Sequence, residues 1–163
     1  YNGFRWAPSE LALGNMYALG TGVKKNKSEA IEHFIKCALA GNDECISKII
    51  FYEEKKFHKE KQAVIEHPEL EPQYYSGRHL LYWCTVKQLL DGSQGKEIAQ
   101  NDKIVQIRNI IKELYNTLGE QTAREWQQEA LKLTENIHEN QNYTRNLTDL
   151  SYYGGDTGKS LIL

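Results

Sequence analysis

Along the chain, apolar side chains return every three or four positions between runs of Glu, Lys and Gln, the period of helices that bury one face. Alternating β-branched runs bounded by turn pairs, the mark of strands, are hard to find, and only three prolines interrupt the pattern. The predicted class is therefore all-α. Pro8 suits the first turn of a helix that residues 9–19 continue. Its faces are spaced as Leu11, Met16 and Leu19 or as Leu13, Tyr17 and Gly20, and Gly14 leaves room for a neighbouring helix. Gly20 and Gly22 bracket Thr21 and reach the positive φ that a tight helix exit requires. Asn26 and Glu29 form a capping pair that starts a second helix, whose inward stripe is Ala30, Phe34, Cys37 and Ala38, and Gly41 ends it. Two short helices joined by a Gly-rich loop cannot bury both apolar faces alone, so the pair is expected to stack on further helices.

Beyond Gly41, residues 43–56 read as another helix, with Ile46, Ile49, Ile50 and Phe57 at helical spacing, but no Gly-rich turn follows. A charged run and a short helix that ends before Pro68 take its place. A further helix is predicted over 73–90, dense in aromatic side chains, and Asp91-Gly92-Ser93-Gln94-Gly95 reads as a turn. Residues 96–116 predict a long amphipathic helix through Ile98, Ile104, Val105, Ile107, Ile111 and Leu114, broken at Leu118-Gly119. The last predicted helix covers 122–140, with Ala123, Trp126, Ala130, Leu133 and Ile137 on one stripe. The tail, 141–163, is rich in Asn, Thr and Gly and is expected to be irregular; its final Leu161-Ile162-Leu163 either docks in an apolar groove or marks a truncation point.

The segment PSELALGNMYALGTGVKKNKSEAIEHFIKCALAG carries landmarks at fixed spacing: Leu13-Gly14, Tyr17, Gly20, Gly22-Val23, Ala30, Phe34, Lys36, Ala38 and Gly41. This pattern resembles the Sel1-like repeat, a helix-turn-helix unit related to the tetratricopeptide repeat, over about a quarter of the chain, residues 7–50. Asn26 stands where the family usually has Asp, and Cys37 where it usually has Ala; both keep the local chemistry. The resemblance implies an antiparallel Sel1-like repeat packed on a further helical hairpin region, an adaptor or scaffold role with binding on a concave surface, and no catalytic residues. The corresponding division is 7–56 for the repeat and the start of a diverged second unit, 57–140 for a diverged helical region, and 141–163 for the tail. Small proteins of this build resemble immunity proteins of bacterial type VI secretion phospholipase effectors, many of them periplasmic lipoproteins.

Composition narrows the partners. A chain of 163 residues, 40% hydrophobic, can fold as one domain or a short array without metals or disulfides. A net charge of −2 gives no global electrostatic reason to expect nucleic acid or an acidic membrane. Three cysteines leave at least one unpaired. Because Cys37 and Cys84 sit in apolar helical segments, buried free thiols are the favoured reading over a single disulfide. No window reaches the roughly 20 apolar residues of a membrane span. The chain begins at Tyr1 with no initiator Met, so something upstream was removed or left out; membrane attachment through a missing N-terminal lipid anchor is what the resemblance to lipoprotein immunity proteins implies.

Several motifs invite chemistry and have plainer readings. Gly154-Gly155-Asp156-Thr157-Gly158-Lys159-Ser160 resembles a phosphate loop but has one residue too few between its first Gly and the Gly-Lys pair, so a turn is favoured. His33 and Cys37 share a helix face, yet no second pair of ligands is near, so packing is favoured over a metal. Ser76, His79 and Cys84 lack the context of a hydrolase. Asn142-Tyr143-Thr144 and Asn146-Leu147-Thr148 match the glycosylation acceptor, a pattern common by chance. No enzyme activity and no cofactor are expected.

The charge run from Glu53-Glu54 to Lys61 reads first as a solvated face, with docking through Glu53 and Glu54 as the second reading. Tyr74, Tyr75, Tyr82 and Trp83 beside Arg78 exceed what one helix face usually buries, and aromatics with Arg are frequent interface anchors. These seven residues are the candidate partner-binding set. The expected function is a protein-binding module that inhibits a secreted antibacterial toxin, a type VI lipase effector in the sharpest form, with a periplasmic location; the alternatives are a Sel1-like adaptor or scaffold in envelope or signalling complexes, and the cytoplasm. The partner is another protein, a cognate toxin or complex component, and not nucleic acid.

Overall fold

The computed structural model of the chain describes the backbone of residues 3–93 and 102–149, with side chains for 8–92 and 102–140. The described chain is all-helical: α1 (Gly3–Leu19), α2 (Lys27–Leu39), α3 (Asp43–Glu66), α4 (Tyr75–Ser93), α5 (Asp102–Leu118) and α6 (Glu120–Asp149). It divides into two compact units, the described parts of Tyr1–Ile49 with Leu133–Leu163 and of Ile50–Lys132, so that α3 and α6 contribute to both.

In the first unit α1 and α2 form a hairpin. Helix α1 stops where Gly20 (φ 71°) and Gly22 (φ 74°) take left-handed conformations, and the Asn26 N–H donates to the Tyr17 carbonyl at 2.9 Å to close the loop. The Asn26 side-chain oxygen then accepts from the N–H groups of Ser28 (3.1 Å) and Glu29 (3.2 Å), which fixes the start of α2. The stripe Ala30, Phe34, Cys37 and Ala38 is buried as its spacing predicts. The inward side of α1 differs from both predicted stripes. Glu10 and Gly14 are buried while Leu13 and Leu19 are exposed, because Phe34 fills the place a side chain at Gly14 would need. Glu10 hydrogen-bonds His33, whose ring stacks on Tyr17 at 5.5 Å. Pro8 lies inside α1, which begins earlier than expected, at Gly3.

Helix α2 ends at Leu39, and Gly41 (φ 87°) turns the chain. Asn42 accepts from the Cys45 N–H at 3.1 Å and so starts α3. A disulfide joins Cys37 to Cys45 across this turn, with the Cα atoms 5.9 Å apart. The expectation of free thiols is thereby corrected for these two; Cys84 alone is free, and it is buried. Ile46 and Ile49 from α3, and Leu133 and Ile137 from α6, add to the buried apolar set of this unit.

In the second unit α4 is the central helix. Every residue from Leu80 to Lys87 is buried, the signature of a helix surrounded on all sides. Ile50 and Phe57 from α3, Ile104, Ile107 and Leu114 from α5, and Ala123 and Ala130 from α6 add to its core. The predicted break in α3 is absent: the charged run continues the helix to Glu66, supported by pairs such as Glu53 with Lys56 and Gln62 with Glu66. Asp91, Gly92 and Ser93, expected as a turn, are still helical, with Asp91 3.7 Å from the Lys87 ammonium one turn back. Gly119 (φ 86°) separates α5 from α6 as expected. Residues 141–149, expected to be irregular, continue α6. Gln94, Gly95, Ile98, the Gly154 to Ser160 loop and Leu161-Ile162-Leu163 lie outside the described residues, as do the side chains of Asn142 and Asn146.

Candidate protein-binding surface

The N-terminus of α4 is held by α3 rather than by its own capping side chain. The Glu60 carboxylate accepts from the N–H groups of Ser76 (3.3 Å) and Gly77 (3.1 Å), a charge-assisted arrangement favoured at the positive end of a helix. A Cβ at Gly77 would stand 2.9 Å from the Phe57 ring, so glycine lets the two helices close. Just before α4, Tyr74 sits at φ 50°, a strained value for a bulky residue, with its ring packed edge-on to Phe57 at 6.1 Å.

From this anchored start, Tyr75, Arg78, His79 and Tyr82 fall on one stripe of α4 at spacings of three and four. Tyr75 is exposed, and the Arg78 guanidinium lies 5.8 Å from its ring centre. His79, half exposed, meets Trp126 of α6 edge-on at 5.7 Å, and Trp126 is perpendicular to Tyr82 at 6.4 Å. Glu53 approaches from α3: its carboxylate is 3.9 Å from Lys56 and 4.0 Å from His79 Nδ1, both too long for hydrogen bonds. Three buried polar atoms here have no hydrogen-bond partner among the described residues: Glu53 Oε2, Arg78 Nε and the Tyr82 hydroxyl. Burial first, then the Glu129 charge, holds the Tyr82 phenol above its ordinary value.

The seven candidate residues therefore separate. Tyr82 and Trp83 are in the core, 5% and 6% exposed, and present no surface to a partner in this structure. Glu53 is buried too, against the expectation of a solvated run. Tyr75 stays exposed, while Arg78, Tyr74 and Glu54 are half-buried.

Glu54 faces a different feature, a cleft of about 360 Å³ among α3, α4 and α5. Glu54, Phe57 and His58 line it from α3, Leu80 from α4, and Asp102, Val105, Gln106, Asn109, Ile110 and Glu113 from α5. Glu113 pairs with Lys61. Glu54 and Asp102 have neither a hydrogen bond nor an ion pair with another described residue.

Chemistry that needs an activated group finds little here. The Cys84 thiol is pushed well up by burial and next by Glu54, with Lys87 opposing, so the thiolate is disfavoured. Among the described residues no three His, Cys, Asp or Glu side chains gather as a metal requires, and Cys37 is committed to its disulfide. Among them, too, no helix is long and apolar enough to cross a membrane. Comparisons of the chain with protein-family models, curated proteins and solved structures return no match.

Trp126, Glu60 and the cleft side of α5 were not singled out as site residues by sequence, and His79 was weighed only beside Ser76 and Cys84 as a catalytic group. Trp126 was read as core, and its half-exposure follows from its place at the edge of the α4 stripe. Val105 carries a legible signal: it lies one residue off the buried row Ile104, Ile107 and Leu114, hence about 100° around the helix.

Proposed function

We propose that this chain is a protein-binding module whose role is to bind and inhibit a secreted antibacterial toxin. The observation that carries the binding reading is the α4 surface. Exposed Tyr75 and His79 share a stripe of α4 with Arg78 and Tyr82, and Glu53 Oε2, Arg78 Nε and the Tyr82 hydroxyl are buried without hydrogen-bond partners among the described residues. Buried polar atoms are almost always satisfied, and aromatic residues with Arg are the usual anchors of protein interfaces. The α1–α2 hairpin supports the kind of module: Gly14 packs on Phe34, Gly20 and Gly22 are left-handed and Asn26 caps α2, all within the segment whose sequence resembles a Sel1-like repeat. The Cys37–Cys45 disulfide supports an oxidising compartment, the periplasm in a bacterial setting, since such bonds persist there and are rare in the cytosol.

The test is binding and neutralisation of a secreted toxin, a lipase in the first instance, encoded beside this chain. We expect a complex with a dissociation constant of about 1 nM, within the span of specific protein interfaces, and loss of toxin activity on adding the chain. Binding without inhibition would favour the adaptor reading; absence of any complex would sink the inhibitor.

A further inference from the structure

We propose that the cleft among α3, α4 and α5 seats an amphipathic helical segment of a partner protein that carries Arg or Lys, with the cation met by Glu54 and Asp102. This rests on the protein-binding reading and gives it a second surface and a partner chemistry.

The shape comes from α5. Its buried row, Ile104, Ile107 and Leu114, is satisfied within the unit, yet its cleft-facing row, from Asp102 through Val105 and Asn109 to Glu113, also repeats at intervals of three and four. At 1.5 Å per residue that row is roughly 16 Å long, enough for helical anchors at i, i+3 or i+4, and i+7. The floor is apolar: Phe57, Leu80 and Ile110 line it, and Val105 is left 43% exposed. Such a shelf suits the aliphatic stem of a long cationic side chain.

Charge selects the occupant. Glu54, Asp102 and Glu113 line the cleft and no Lys or Arg does. Lys61 already takes up Glu113, while Glu54 and Asp102 remain uncommitted among the described residues. A phosphate, nucleic acid or acidic peptide would be repelled, whereas a cation held over the apolar side chains of the cleft gains from both carboxylates. A small ammonium ion would leave Val105 and Ile110 uncovered.

The test titrates the isotope-labelled full chain with a short amphipathic Leu/Arg peptide, the same peptide with Glu for Arg, and N-acetyl-arginine amide, following backbone amide resonances. Binding of the Arg peptide, with shifted amides grouped at Phe57, Val105, Gln106 and Ile110, is expected. The Glu54→Gln/Asp102→Asn chain should bind it about fivefold more weakly, as loss of two partly exposed charge contacts predicts. Equal affinity for the Glu peptide, shifts located elsewhere, binding of neither peptide, or equally tight binding of the single amino acid would each overturn the proposal. So would a concentration-dependent dimer in sedimentation that Val105→Arg abolishes, which would give the cleft to a second copy. If a toxin binds the wild-type and doubly substituted chains alike, the cleft assignment fails and the inhibitor reading stands. If the peptide binds as expected but no toxin does, the inhibitor reading fails instead.

Discussion

At Gly14 a Cβ would stand 2.4 Å from the Phe34 ring, and Phe34 is 1% exposed, so the ring has nowhere to go. Gly14→Ala is therefore expected to destabilise the first unit by about 1–3 kcal/mol, as overpacking does, seen as a lower denaturant midpoint; an unchanged midpoint would contradict the close packing of α1 on α2. Tyr82 and Cys84 make a different claim. Both hold their protons more tightly folded than unfolded, burial being the main cause in each. As pH rises past the ordinary thiol value of 9.0 and then the ordinary phenol value of 10.0, the unfolded chain releases those protons first. Stability that is fully present below this range is lost through it. Tyr82→Phe should flatten the upper part of that decline. Because the hydroxyl it removes has no partner, stability at neutral pH should hold or rise. Denaturant midpoints taken from neutral to strongly alkaline pH would decide, and a decline unaltered by the substitution would refute the assignment. Single positions were also where the sequence misled. Glu53 sits on the row of Ile46, Ile50 and Phe57, so its burial was legible in spacing, but its charge argued for solvent.

Helix boundaries set by local chemistry were readable, and those set by distant groups were not. The Asn26 cap and the left-handed Gly20, Gly41 and Gly119 lie where a turn needs them, the row Ala30 to Ala38 is buried in register, and Ala123, Ala130, Leu133 and Ile137 are buried with only Trp126 of their row half-exposed. Asn26→Ala should cost about 1 kcal/mol, measured by chemical denaturation. The end of α4 escaped notice because Gly92 is compatible with a helix that Asp91 supports by pairing with Lys87 one turn back. The start of α4 depends on Glu60, a group on another helix that no local pattern reveals. Glu60→Gln keeps the acceptor shape and loses the charge, so it should destabilise less than Glu60→Ala, the pair being compared by thermal melting. Equal losses would mean that packing, and not the cap, holds α4. The same central burial of α4 explains the candidate surface: aromatic density around Tyr74 to Trp83 was visible, but half of it is core because helices surround α4.

On the scale of the whole molecule, the covalent state of three cysteines decides robustness and carries the argument for the proposed compartment. Composition left pairing open, since Cys37 lies on a buried row that a free thiol would also occupy; the turn at Gly41 and Asn42 brings the last turn of α2 and the first of α3 within bonding reach. The native chain should therefore expose no thiol to a reagent, the denatured chain one, from Cys84, and the denatured and reduced chain three. A bridge closing a loop this short stabilises by about 2–3 kcal/mol on the chain-entropy account. Reduction should lower the melting temperature, and Cys37→Ala/Cys45→Ala should lower it similarly and make it insensitive to reductant. Three thiols titrating in the unreduced denatured chain would overturn the bridge. With the bridge would fall the argument for an oxidising compartment, while the α4 surface and the cleft of the second unit would stand on their own geometry.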